Sequence, residues 1–205
     1  MKKDTVKNFG KNILGYSFYP LNKLSIKTRR VINRTLLFHS IDDKMSFDKY
    51  GFSVKLKNFK NYINFLKDSE YQFHDFTHNL NSTKSISITF DDGYKNILPA
   101  VEYLIKLNIP CIIFVITSKI NDNLYLSKDE ICQLSKNKLI TIGSHSHNHL
   151  KYANLNSIDC SLDIEKSVKI IEDLTNQKVN SFAFPHGSYK LDNLKILNKY
   201  NLKKI

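Results

Sequence analysis

Apolar residues recur along this chain in two alternating rhythms. Residues 34–39, RTLLFH, form a short apolar run that reads as a buried strand. Over residues 52–67 the apolar positions Phe52, Leu56, Phe59, Tyr62, Ile63 and Leu66 fall three and four apart. That spacing predicts an amphipathic helix with a core-facing stripe, and Ser53 is its expected N-cap. After a polar stretch at 79–84, the β-branched and apolar SISITF at 85–90 predicts a strand, closed by a turn at 91–93. The alternation continues: a helix from 96 to 107, a continuous apolar strand at 111–116, a helix at 127–136, a strand at 139–143, a helix at 157–174 and a strand at 181–184.

Strand and helix alternate with no sequence repeat or low-complexity tract between them. Strands apolar on both faces imply a parallel sheet covered by helices, as an open α/β sheet or as a barrel. In either architecture chemistry collects at the C-terminal ends of the strands. Three candidate segments fall just past predicted strands: the Asp91/Asp92 pair, the cluster His145, His147 and His149, and residues 185–189. They are expected to converge on one mouth.

Composition narrows the alternatives. At 205 residues and 41% hydrophobic, the chain can bury one sizeable core and is too polar for a membrane protein. The formal charge of +12 invites a nucleic-acid partner, but the lysines are scattered through every segment, which reads as a solvated surface; no nucleic-acid partner is expected. Cys111, Cys132 and Cys160 are far apart and lack any CxxC or Cys/His spacing, so neither a disulfide framework nor a cysteine zinc site is expected. The apolar residues after Lys2 and Lys3 are broken by Gly10, Lys11, Asn12 and Gly15. That pattern is no signal-peptide h-region and no stable membrane span, and it favours a cytoplasmic protein. Residues 1–33 read as a basic extension ahead of a domain at 34–205.

The chemistry-bearing residues point to a cation. Two adjacent carboxylates at a strand end oppose each other's ionisation unless a positive charge shares their field. His145 and His149 are four apart, so a helical turn after the strand would aim both imidazoles at one point. With one carboxylate they make a facial set of two histidines and one acid that leaves positions open for water and substrate, a hydrolase layout for which zinc is the default divalent metal. His145 with His147 is an alternative pair that would suit an extended segment.

These residues also resemble a known family. Thr89-Phe90-Asp91-Asp92-Gly93-Tyr94 is similar to the TFDDGY motif of polysaccharide deacetylases, the NodB homology domain of carbohydrate esterase family 4, and Gly143-Ser144-His145-Ser146-His147-Asn148-His149 is similar to its GSH[ST]xxH motif. Residues 182–189, FAFPHGSY, resemble the third motif of the poly-N-acetylglucosamine deacetylase-like branch. The resemblance implies a distorted seven-stranded (β/α) barrel and hydrolysis of N-acetyl groups on an N-acetylhexosamine-containing glycan. It implies Asp91 as general base, and Asp92, His145 and His149 as metal ligands. Ser146 would brace the loop, Thr89, Gly93 and Tyr94 would support the site, and Pro185, His186, Gly187 and Tyr189 would line the substrate and oxyanion side. His147 lies in the variable part of its motif and is expected to be a bystander or a substrate-side contact.

Two departures stand out. Ala183 occupies the position where many members carry an Arg, a loss shared with the branch named above. Family members also continue past a segment like 193–205 into strands carrying a fourth, Asp-based motif and a fifth whose His is the general acid. The five candidate strands counted here are too few to close a barrel. The expectation is therefore a domain lacking its C-terminal strands, from a truncated frame, a split gene or a domain completed by a second polypeptide. A different linear or cyclic amide hydrolase, and a remnant that only binds metal or glycan, are the competing readings.

Overall fold

A computed structural model describes residues 34–42, 48, 51–75 and 84–205; the basic segment 1–33 lies outside them. Among the described residues seven strands form one parallel sheet. They are β1 (Arg34–Phe38), β2 (Gln72–Phe73), β3 (Ser85–Phe90), β4 (Cys111–Val115), β5 (Ile140–Ser144), β6 (Ser181–Phe182) and β7 (Lys203–Lys204). The order is β1-β3-β4-β5-β6-β7, with β2 paired to the N-terminal end of β3. Helices α1 (Leu56–Asp68), α2 (Leu98–Lys106), α3 (Lys128–Ser135), α4 (Ser157–Thr175) and α5 (Leu191–Lys199) complete the chain. The sheet is curled into a half-barrel.

The strands are apolar because both faces are covered, and alternation assigns each residue a side. Ile88, Phe90, Cys111, Ile113, Val115, Ile140, Ile142 and Phe182 belong to the main core, with Phe59 and Ile63 of α1, Leu104 of α2, Ile131 of α3 and Ile164 of α4. The intervening residues turn to the concave side, where Ile112, Phe114 and Ala183 pack with Ile205 and where Ser85, Ser87 and Thr89 are also buried. Leu37, which alternates onto that side of β1, is 47% exposed, so the concave face opens to solvent at the β1 edge.

The structure departs from the sequence reading in three places. Ser53 does not cap α1, which starts at Leu56 after Lys55 with no side-chain cap. Ser53 instead forms a bridge with Ser40, and its amide and that of Phe52 donate to the Asp48 carboxylate at 2.7 and 2.8 Å, which holds Phe52 outside the helix. The strand count is seven rather than five, because β2 and β7 have two residues each, too short to show a period. Helix α5 has no counterpart among the elements expected from the sequence. No helix among the described residues is long and apolar enough to cross a membrane, and all three cysteines are free.

Gly143 is the tightest point of the concave layer. A Cβ there would lie 2.5 and 2.6 Å from the Phe114 ring and 2.7 Å from Ser181 Oγ, and Phe114 is fully buried. Gly143→Ala is expected to destabilise the fold by about 1–3 kcal/mol through overpacking. In a Phe114→Leu background the same substitution should cost clearly less, as read from urea unfolding midpoints of the four proteins.

Candidate active site

All strands being parallel, their C-terminal ends share one rim, and the loops after β3, β5 and β6 meet there. The Asp91 amide donates to the Phe38 carbonyl at 2.8 Å, carrying the β1–β3 ladder one residue past β3. The chain then reverses through two left-handed residues, Asp92 (φ 70°) and Gly93 (φ 76°). A Cβ on Gly93 would sit 3.1 Å from Val115 Cγ1, so the turn that presents Asp92 both adopts a left-handed backbone and leaves little room for a side chain.

Asp92 Oδ1 lies 3.4 Å from His145 Nε2 and 3.2 Å from His149 Nε2, and the three donor atoms all fall within 4.8 Å of one another. Asp92 Oδ1 is buried and accepts no hydrogen bond. His145 Nδ1 is 2.9 Å from the Ala183 carbonyl, a contact that needs the proton on Nδ1. In the neutral ring the Nε2 lone pair therefore faces the carboxylate oxygen. Lone pairs converging on a buried anion repel unless a cation stands between them, so this donor set fits a divalent metal.

The two acids are driven apart. Burial pushes the Asp91 carboxyl above the usual carboxylate range, although His145, His39 and His149 pull the other way. For Asp92 burial acts in the same direction, but the adjacent imidazoles of His145 and His149 outweigh it and hold the carboxyl well below that range. Burial likewise opposes charge on His145, and Asp91 and Asp92 overcome it, so this imidazole is raised. Neighbouring carboxylates separated in this way are suited to separate roles, one as anion and one as proton acceptor.

The histidine loop is held from α4. Asp163, buried on the α4 stripe that includes Cys160, Ile164, Ser167 and Ile171, accepts from the His147 amide at 2.8 Å and the Asn148 amide at 3.1 Å. It also accepts from Asn148 Nδ2 at 2.9 Å and the Tyr152 hydroxyl at 2.7 Å. One turn on, Ser167 hydrogen-bonds Ser144, whose Oγ accepts from the Ser146 amide. Ser146 Oγ accepts from the His149 amide at 2.9 Å. Sequence reasoning missed Asp163; its signal was an acid on the core-facing stripe of a helix.

His147 turns away from the cluster, its Nδ1 2.9 Å from Thr117 Oγ1. Among the described residues the structure groups His145 with His149, not with His147. Thr89 Oγ1 is buried on the concave face without a hydrogen-bond partner. Pro185, His186 and Gly187 form a short 3-10 turn with His186 left-handed (φ 58°). The His186 ring lies 4.5 Å from that of His149. The amides of Gly187 and Ser188 close onto Phe184 and Pro185. Tyr189 stacks on Phe184 at 4.9 Å and meets Lys204, so its hydroxyl is engaged away from the cluster.

Replacing Asp163 by Ala strands two amides, an amide side chain and a phenol at once. The expected outcome is an affinity for an added divalent cation at the Asp92, His145 and His149 donor set lowered by about 10–100-fold, the usual effect of losing a group that orients ligands. Lys169→Ala, on the exposed face of α4, should leave it unchanged; chelator competition measures both.

Comparison with known proteins places this geometry. YxkH of Bacillus subtilis (strain 168), a polysaccharide deacetylase by name, is 27% identical over 173 residues, 80% of this chain and 60% of its own length. A polysaccharide deacetylase from Bacillus cereus superposes with a TM-score of 0.75 at 24% identity, covering 84% of this chain and 56% of that one. IcaB from Ammonifex degensii gives 0.73 at 18% identity, covering 83% and 81%. These likenesses show a shared fold, and the chain spans somewhat under two thirds of the length of the first two. The model of the polysaccharide deacetylase family matches residues 78–205, the stretch that carries Asp91, Asp92, His145, His149 and the turn at Pro185, and the chain belongs to that family.

Proposed function

We propose that this chain is a metal-dependent hydrolase that removes N-acetyl groups from an N-acetylhexosamine-containing glycan. The observation that carries the reading is the buried Asp92 oxygen without a hydrogen bond, faced by two imidazole nitrogens, beside a second carboxyl that burial keeps basic. Asp92, His145 and His149 would hold the cation, with zinc best suited to two imidazoles and a carboxylate. When bound it would polarise the acetamide carbonyl and acidify a water.

The remaining steps belong to the chain itself. Asp91, buried and basic for a carboxylate, takes a proton from the attacking water as its oxygen bonds to the acetyl carbon. The oxyanion that forms would be met by the main-chain N–H of His186, since Pro185 has none and that of Gly187 is bonded to the Phe184 carbonyl; the His186 ring lies next to that of His149. As the C–N bond breaks, the proton held on Asp91 passes to the departing nitrogen, giving acetic acid and a free amine with the carboxylate restored; the acid's proton then passes to the amine, and the products leave as acetate and ammonium. Asp92, Ser146, His149 and His186 at this rim all have positive φ, a conformation that persists where the surroundings fix it.

The test is acetate release from N-acetylglucosamine oligomers by the zinc-loaded chain. Asp91→Asn is expected to lower the rate about 10²–10⁴-fold with zinc still bound, whereas His149→Ala should lose zinc and activity together. Stoichiometric zinc without acetate release would leave a metal-binding module; neither zinc nor acetate would overturn the proposal.

A further inference from the structure

The end of the molecule that carries the cluster also exposes apolar side chains. Among the described residues eight large hydrophobic side chains are exposed, and four of them, Leu150, Ile158, Leu162 and Leu191, lie in the loop after β5 and at the starts of α4 and α5. A lone exposed leucine is ordinary, whereas several gathered at one end mark a contact surface. Leu150 directly follows His149. Ile158 and Leu162 stand about one turn apart in the first half of α4, 72% and 59% exposed, and Leu191 opens α5 at 78%. Asn193 Nδ2 donates to Cys160 Sγ at 3.2 Å, which brings the two helix starts side by side.

The outward faces of both helices change character along their length. Helix α4 buries Cys160, Asp163, Ile164, Ser167 and Ile171. Its exposed face begins with Ile158 and Leu162 and continues with Glu165, Lys166, Lys169 and Asp173. Helix α5 begins with Leu191 and continues outward with Asp192, Lys195, Asn198 and Lys199. The apolar residues are thus confined to the rim end, and charged ones follow below. From Ile158 to Leu162 the helix rises about 6 Å, a depth that matches the boundary between lipid headgroups and acyl chains. A band this shallow suits resting on a bilayer, and no helix among the described residues is long and apolar enough to cross one.

Charge selects the occupant. The chain carries a formal +12, and Lys151 and Lys190 are exposed at this end. The carboxylates there are engaged: Asp192 pairs with Lys195 at 2.8 Å, and Asp159 accepts from the Asn156 side chain at 2.7 Å. Pressing this end against a second copy would bring two strongly positive bodies together, whereas an anionic bilayer attracts the same body and takes up its leucines. We infer that the starts of α4 and α5, with Leu150, dock onto an anionic phospholipid surface. Charge draws the chain to the lipid and the apolar tips hold it there, the pairing of two weak signals that peripheral attachment needs. The Asp92, His145 and His149 rim then faces the headgroups. Taken with the deacetylase reading, on which this step rests, the substrate class is a glycan held at a membrane surface; the docking itself stands without that reading.

The experiment is co-sedimentation with vesicles of phosphatidylcholine, alone or mixed with phosphatidylglycerol, on the full chain, on the Ile158→Ser/Leu191→Ser double variant and on Phe65→Ser. All three substituted side chains are exposed, so the fold should hold. Phe65 is the control, in the last turn of α1, which leads to β2 at the opposite end of the sheet. The chain should bind the mixed vesicles, and binding should weaken at least about tenfold in the double variant through the loss of buried CH₂ groups. Phe65→Ser should bind as the unaltered chain does. Added salt and omission of phosphatidylglycerol should each weaken binding. Acetate release from soluble N-acetylglucosamine oligomers should be equal in all three proteins. No binding to the mixed vesicles, or equal binding by the double variant, would overturn the docking surface, as would a dimer in place of vesicle binding that the double variant abolishes in light scattering. Vesicle binding that depends on Ile158 and Leu191, without acetate release from any of the proteins, would sink the hydrolase reading and leave the docking surface standing.

Discussion

A carboxylate oxygen buried between two imidazole nitrogens is unfavourable unless a positive charge lies among them, and the architecture at this rim is arranged around that constraint. Asp92 Oδ1 has no hydrogen bond and faces His145 and His149. The three side chains come from two loops that a parallel sheet brings to one edge. Each histidine is fixed by contacts that point away from the shared centre: the Ala183 carbonyl orients His145, and Ser146 closes the turn that carries His149. Such outward contacts orient ligands and set the tautomer of their rings. At the neighbouring Asp91 burial outweighs the pull of His145, His39 and His149 and makes it the basic member of the pair.

The scaffold supplies rigidity where the site stores strain. Left-handed residues at Asp92, Ser146, His149 and His186 stay in place because the sheet, α4 and the loop after β4 hold them from three directions. Helix α4 is central to this, since a single buried face presents Asp163 to the histidine loop and Ser167 to the end of β5. Tyr152 extends that support downward, its ring packed edge-on against Phe182 and Phe184 while its hydroxyl donates to Asp163. The polar clamp on the loop and the apolar core beneath it are therefore one continuous structure.

Much of this was legible in the sequence because the strands are short, apolar and bounded by turn residues, and because carboxylates and imidazoles stand where strands end. SISITF, CIIFV and the 157–174 helix fall within a residue or two of their observed bounds. The two-residue strands β2 and β7 were invisible because pairing, not local pattern, defines them. Ser53 misled because an N-cap serine and a serine drawn into a bridge look alike in one dimension, and only the Asp48 carboxylate decides between them. Asp163 was hidden for a related reason: a helix-borne acid reads as surface until its partners, sixteen and fifteen residues back, are known. Tyr94 reads from the sequence as support for the site, whereas its partner Tyr125 lies on a loop whose path no periodicity reports. The described residues give no support to a second polypeptide completing the domain.

The central claim is that residues 92, 145 and 149 share one cation. X-ray absorption at the zinc edge on the stoichiometrically loaded protein reads it directly. The account predicts a first shell of two imidazole nitrogens and one carboxylate oxygen at about 2.0–2.2 Å, completed by water oxygen. A shell with sulfur at about 2.3 Å, a shell without imidazole scattering, or a protein that retains no zinc would contradict it.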